Sequence, residues 1–421
     1  MTGVQLTWLR RFAFVVVLLV AAVAPGPAAG SRSSRCVGPA CERAGTVRWA
    51  RLLPGSWTVQ NGLVGTALAQ GQAYAALGQD VAVVGSGLTV SAYAARNGQQ
   101  LWTAGLTGLP AGSAIVSVRV WPGVVTAGVG LPVPTGHVRG PARDEVVLSA
   151  ATGKVIRSYP AAAFGGAVAA DATATVIVGP HAVTRYANRT GHVLWSRPTG
   201  RAAQTWQVDG SRLYVTVAAG GYLGTAPVTA LREIDLRTGA ERVVHAPGHA
   251  FDGPLSLAFD GAVYFAGADG VTAYRGSTGA RLWHRPAGLP ESVDVVEQRL
   301  YLLVGNALIG VDPLTGARLA RVSGAMAAGS AGLFGVREGA VLGLDHGSLG
   351  KAWGYNVATQ RVLWTSAPLP WPHYFVDLSG IGGSSSPGLD GLLLAVCANV
   401  GAPLADGVQP CVRPELVLVN R

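Results

Sequence analysis

Lysine is nearly missing from this 421-residue chain: of 32 basic residues, Lys154 and Lys351 are the lysines and the rest are arginines. Charge of both signs is scarce, at 13% of residues against about 25% in ordinary globular domains. Little charge beside 49% hydrophobic residues excludes a disordered chain, which needs the opposite balance. A coiled coil or large helix bundle is excluded as well, because it needs abundant Lys, Glu and Leu and little glycine. Glycine is plentiful instead, with 59 residues beside 25 prolines, but lacks the strict triplet of collagen. No phosphate loop is present, since neither Gly220-Gly221 nor Gly382-Gly383 leads into Gly-Lys-Ser/Thr. Ser384 to Ser386 lack the G-x-S-x-G elbow of a serine hydrolase. What remains is a large, turn-rich, β-biased protein.

The formal charge is +10 and the pI about 9.8. Nucleic-acid binders gather such charge on one face or arm, often among aromatic platforms. Here the arginines are scattered singly, Arg10-Arg11 being the adjacent pair, so nucleic acid is not the expected partner. An anionic membrane or cell-wall surface fits the charge better. Arginine over lysine, with heavy Ala, Gly and Val, has the look of GC-rich, actinobacterial coding.

Residues 1–30 have the layout of a cleaved signal peptide: Arg10-Arg11, an apolar run from Phe12 to Ala24, then Ala28-Ala29-Gly30. Thirteen apolar residues fall short of the roughly 20 that span a bilayer, and Pro25 and Pro27 stop the helix. An uncleaved membrane anchor is the alternative. Cys36 follows Ser33-Ser34-Arg35, which is not a lipidation context. Export to an oxidising compartment makes the four cysteines candidates for disulfides. Local pairing of Cys36 with Cys41 and of Cys397 with Cys411 is expected, with cross-pairing of the two ends as the alternative. The C-x-x-C spacing of a zinc site is lacking. Residues 31–44 are then a linker.

A repeat organises the remainder, residues 45–421. An apolar strand runs into a Thr-Gly or Asn-Gly turn, and a second strand carries Trp four residues after the glycine. Three copies are complete: Gly98 with Trp102, Gly191 with Trp195, and Gly279 with Trp283. Gly153, Gly239 and Gly316 keep the turn without the Trp, and Trp364 follows a turn in which Gln360 replaces the glycine. A half-copy opens the series, Gly45 with Trp49, and the chain closes on a lone strand, Leu416 to Asn420. Seven intervals separate Gly45 from Gln360, about 45 residues each, the period of four-stranded propeller blades.

Further strands are expected upstream of the turns, at Val81–Val84, Val176–Val178, Arg212–Val215, Ala262–Phe265 and Leu300–Leu303. Asp209-Gly210 and Asp260-Gly261 supply the turns ahead of two of them. Four such strands cannot bury both faces alone, so units must stack around a ring. The recurring Trp is then expected between neighbours. The expected fold is all-β: an eight-bladed β-propeller of four-stranded antiparallel blades, its last blade closed by N- and C-terminal strands. Seven blades is the alternative count.

Long loops are expected at 131–144, around 220–224 and at 366–390. His346, Trp371, His373 and Tyr374 in such segments are the candidate binding-loop residues. His245 and His249 are expected in a loop. Asn188-Arg189-Thr190 matches a glycosylation sequon but overlaps the repeat turn.

The Thr-Gly turn followed by Leu-Trp resembles the repeat of PQQ-like (quinoprotein-like) eight-bladed propellers, a WD40/YVTN-like architecture. That family includes quinoprotein alcohol dehydrogenases and BamB-like assembly lipoproteins. For the dehydrogenases the resemblance implies a quinone, calcium and adjacent cysteines. This chain has no adjacent Cys pair and few carboxylates, whereas calcium takes six to eight oxygens. Hence neither PQQ nor calcium, and no catalytic, cofactor or metal residue, is expected. The function expected is an exported, monomeric, non-catalytic scaffold that binds a protein or cell-envelope component. A PQQ-dependent or other propeller enzyme acting on alcohols or sugars is the alternative.

Overall fold

A computed structural model describes residues 47–420, apart from 53–56, 60–72, 79, 131–142, 162–165, 180, 200–204, 219–226, 248–249, 295–296, 306, 323–332, 338–339, 345–350, 368–390, 398–408 and 412–413. The signal-peptide segment, the linker, Cys36 and Cys41 lie outside the described residues.

Strands β1 (Val47–Leu52) and β2 (Trp57–Val59) precede seven four-stranded antiparallel meanders. The first is β3 (Ala73–Leu77), β4 (Val81–Ser86), β5 (Thr89–Ala94) and β6 (Gln100–Gly105). The second is β7 (Ala114–Trp121), β8 (Val124–Gly130), β9 (Arg143–Ser149) and β10 (Val155–Ala161). The third is β11 (Gly166–Ala170), β12 (Ala174–Val178), β13 (Ala182–Ala187) and β14 (Val193–Pro198). The fourth is β15 (Trp206–Asp209), β16 (Arg212–Ala218), β17 (Val228–Asp235) and β18 (Glu241–His245). The fifth is β19 (Leu255–Phe259), β20 (Ala262–Gly267), β21 (Gly270–Arg275) and β22 (Arg281–Arg285). The sixth is β23 (Leu289–Asp294), β24 (Arg299–Val304), β25 (Ala307–Val311) and β26 (Arg318–Val322). The seventh is β27 (Leu333–Arg337), β28 (Ala340–Leu344), β29 (Ala352–Asn356) and β30 (Arg361–Thr365). Strands β31 (Gly391–Cys397), β32 (Gln409–Cys411) and β33 (Pro414–Asn420) end the chain. All five upstream strands expected from the sequence are present, as β4, β12, β16, β20 and β24.

The two half-copies of the repeat meet. Strand β1 pairs antiparallel with β33, Ala50 opposite Val417 and Leu52 opposite Glu415, and β33 pairs in turn with β31. Beyond them β2 pairs with β32, Trp57 opposite Cys411. The last sheet is therefore built from both ends of the chain.

The core is divided among the interfaces between successive sheets. Val83, Val90 and Trp102 of the first sheet pack with Ile115, Val125 and Leu148 of the second. Val147 and Tyr159 meet Ala167 and Ile177 of the third. Val178, Val183 and Trp195 meet Leu213 and Ile234 of the fourth, and comparable clusters follow to the seventh. Such side chains each contribute about 1.5–3 kcal/mol by leaving water, which explains the low charge: each meander is apolar on both faces. The first strands of neighbouring sheets approach one another, as β3 with β7 and β15 with β19, so they form the inner wall. The fourth strands form the outer rim, where Leu101, Leu194, Leu319 and Leu363 are about half exposed.

Candidate binding surface

The repeat turn explains its own sequence. In the fourth sheet the Gly239 N–H donates to Asp235 O at 2.8 Å, and Asp235 N–H to Ala240 O at 2.9 Å. Closing that turn puts Gly239 at φ +69°, a region where a Cβ is penalised. The Thr before the glycine is a cap: Thr238 Oγ1 accepts the Ala240 N–H at 3.2 Å and donates to Asp235 Oδ1 at 2.7 Å. Asp312 and Thr315 repeat this arrangement, as do Asn356 and Thr359 around the same carbonyl position. These bonds, led by Thr238 Oγ1 at Asp235 and by the Thr315 N–H at Asp312, hold both carboxyls below the usual carboxylate range.

Four of the six turn glycines are also the floor for a tryptophan of the neighbouring sheet, while Gly279 meets Val244 and the His245 carbonyl. Trp49 lies on Gly98, Trp102 on Gly153, Trp195 on Gly239 and Trp283 on Gly316. The indole N–H completes the fit: Trp49, Trp102 and Trp283 donate to Ala95 O, Ala150 O and Pro313 O at 2.9, 2.8 and 2.9 Å. Trp195 donates to Arg237 O at 3.3 Å. Two residues further on an arginine locks the same glycine. Arg51 Nε donates to Gly98 O at 2.7 Å, Arg197 Nε to Gly239 O at 2.5 Å and Arg285 Nη2 to Gly316 O at 2.6 Å. In the second sheet the Trp position is Arg157, whose guanidinium covers Gly191. Trp364 packs over Gly354 of its own sheet. The Trp-x-Arg spacing, visible in the sequence, makes three of the scattered arginines interface clamps.

These turns all lie at one end of the sheets, beside the turns joining first and second strands. Ala95 N–H donates to Asp80 O, Asn188 N–H to Thr173 O, and Leu236 N–H to Ser211 O, at 2.8–2.9 Å. At the opposite end, Leu106 N–H donates to Leu88 O and Thr199 N–H to His181 O. The strand ends flanking 131–142, 219–226, 323–332, 345–350 and 368–390 are all at this opposite end. We call the two ends the turn end and the loop end. His346, Trp371, His373 and Tyr374 lie outside the described residues.

Three expectations are adjusted. The second-sheet insertion stops sooner than 144, because Arg143 and Asp144 already pair with Gly130 and Val129. Segment 366–390 starts later, because Ser366 N–H still donates to Ala352 O at 2.8 Å. His245 closes β18 opposite Ala230 and is a strand residue, while His249 lies outside the described residues. Asn188 of the sequon is 1% exposed and bonded to Thr175 Oγ1 and Asp171 O, so it is a structural turn residue.

One polar cluster at the loop end has no sequence signal, because its members are far apart in the chain. Asp252 Oδ2 accepts from Thr272 Oγ1 at 3.0 Å and from Tyr274 Oη at 2.7 Å, and His284 Nδ1 is 2.9 Å from Thr272 Oγ1. Burial first, then the neighbouring Asp252 carboxylate, raises the Tyr274 phenol well above its ordinary value. The cluster ties the connection before β19 to β21 and β22. Among the described residues no group of His, Cys, Asp or Glu side chains is placed to hold a metal ion. No helix among them is long and apolar enough to cross a membrane.

Meanders stacked through a periodic Trp on Gly, with one sheet made from both chain ends, define a β-propeller of quinoprotein-like repeats. The family model described as outer membrane protein assembly factor BamB matches residues 86–319. The chain belongs to that family. BamB from Moraxella catarrhalis is similar at 19% identity, over 67% of this chain and 79% of that one, with a TM-score of 0.41. Saccharomyces cerevisiae Sqt1 is similar at 11% identity, over 82% and 95%, with a TM-score of 0.49. A chain of the Mitotic Checkpoint Complex is similar at 11% identity, over 96% and 99%, with a TM-score of 0.43. Among curated proteins none matches the sequence.

Proposed function

We propose that this protein is an exported, non-catalytic scaffold that holds a protein or cell-envelope component at its loop end. The observation that supports this reading is the asymmetry of the two ends. Turns at one end are short and internally bonded, whereas the strand ends at the other are joined by the chain's longest connections. A rigid frame with variable connections on one side is a binding architecture. The family's description as an assembly factor supports a protein partner at the envelope. The reading assigns no cofactor and no catalytic residue to the chain, and takes it to act as a monomer.

Photo-crosslinking in the native envelope tests it. Crosslinkers replacing exposed loop-end residues Pro110, Asp269 and Ala287 are expected to capture one reproducible partner. Crosslinkers at exposed turn-end residues Arg96, Lys154 and Arg189 are expected to capture none. Capture from the turn end alone, or from neither end, removes the proposal.

A further inference from the structure

The inner wall holds a cation that bridges first strands of different sheets. Arg119 sits on β7, the first strand of the second sheet, two residues from Trp121. Its Nη1 donates to Ala167 O on β11, the first strand of the third sheet. Its Cζ lies 5.5 Å from the ring centroid of Trp206 on β15, the first strand of the fourth. One side chain thus reaches across three sheets. Strand β11 allows this because it reads Gly-Ala-Val-Ala-Ala, which leaves little side-chain bulk between Arg119 and Trp206.

Arg119 differs from the rim clamps in its place, on a first strand rather than a fourth. Arg212–Glu233, Arg232–Glu241, Arg242–Glu233 and Arg299–Glu297 are ion pairs among the described residues, and none of these four includes Arg119. A guanidinium carries five N–H donors in a planar fork. The Ala167 carbonyl takes one of them, and a cation–π contact with an indole consumes none. Arg119, Trp121 and Trp206 are all half-buried, so a charge here attracts its counter-ion more strongly than it would in bulk water.

We propose that Arg119, held by Trp206 and Ala167, is a carboxylate-binding site on the inner wall. The fork matches a carboxylate edge to edge, and the indole excludes water from one face of the pair. An acidic side chain of a protein and a free polycarboxylate share this chemistry.

Calorimetric titration of the full mature protein with citrate and with hexaglutamate separates the two sources. Saturable binding of either probe supports the site: citrate alone points to a small carboxylate, hexaglutamate alone to an acidic peptide, and both to a site that accepts each. Arg119→Gln is expected to weaken binding about tenfold or more, as loss of a charge-assisted pair implies. Arg119→Lys, which keeps the charge and loses the fork, is expected to fall between and covers the case where the Gln variant does not fold. Arg96→Gln, an exposed turn-end control with the same change in net charge, is expected to bind as the wild type does. Absence of binding by both probes overturns the site. So does wild-type affinity in a folded Arg119→Gln variant, or an equal loss in Arg96→Gln.

Discussion

The indole of Trp102 rests on Gly153 of the next sheet and donates its N–H to Ala150 O, the carbonyl three residues before that glycine. The contact asks two things of Gly153: a left-handed backbone, at φ +70°, and an empty Cβ position. Gly210 shares the first demand, at φ +58°, but has open space around it. Gly210→Ala is therefore expected to cost about 1–2 kcal/mol, the penalty for a left-handed Cβ. Gly153→Ala is expected to cost about 1–3 kcal/mol more by overpacking the ring. Urea denaturation of the two variants measures the difference; equal losses would show that the ring does not need the glycine.

The sixth and seventh sheets meet without this pair. Where the other turns have glycine, the seventh has Gln360 at φ +54°, and the Trp register opposite Gly310 holds Ala320. Gln360 Nε2 reaches Arg321 O at 3.4 Å. Ala320→Trp alone is expected to destabilise by about 1–3 kcal/mol. Adding Gln360→Gly is expected to restore part of that loss, with a coupling of about 1 kcal/mol or more. Strict additivity in the double-mutant cycle would refute the exchange.

Acid should loosen the turns. Asp235 and Asp312 have folded-state carboxyls below the ordinary range, so their stabilisation is present above the unfolded value and is lost as pH falls through the folded one. Asn356 makes the same bonds to Thr359 without a titrating group. A variant carrying Asp235→Asn and Asp312→Asn is thus expected to keep its fold at neutral pH and to lose less stability between about pH 5 and pH 3. Melting temperatures across that range decide it. A variant as acid-sensitive as the parent would place the sensitivity elsewhere.

The register at the chain ends bears on the cysteines. Cys397 is opposite Pro414, three residues from Cys411, and Cys411 is opposite Trp57. A Cys397–Cys411 disulfide is the expected pairing, with a bridge to Cys36 or Cys41 as the alternative. Non-reducing peptide mapping of the purified protein should recover the local pair, and a peptide joining Cys41 to Cys411 would reverse the assignment.

The repeat was legible because each signature residue answers a local demand. The glycine allows the turn, the preceding Thr or Asn caps it, and Trp four residues on fills the neighbouring sheet. The composite sheet was legible for the same reason, as a turn-and-Trp at one end and a bare strand at the other. The arginine two residues past three of the Trps was visible as spacing, but composition masked it, since arginine is the general basic residue of this chain. The Asp252 cluster and the Arg119–Trp206 contact were not legible. Asp252 is 20 or more residues from Thr272 and Tyr274, and Arg119 is further still from Trp206, so no local pattern announces either contact. The candidate loop residues fall outside the described residues.

Pairing β1 with β33 also orders the assembly of the molecule in time. Neighbouring meanders can form and dock as soon as each is complete, because their strands are close along the chain. The join between Val47 and Val419 encloses almost the whole polypeptide and carries the largest loop-closure entropy. It is expected to form last, as a latch rather than a nucleus. A chain released before Pro414 would not settle into a smaller ring. It would stay an open arc, with the Gly98 side of its first sheet uncovered.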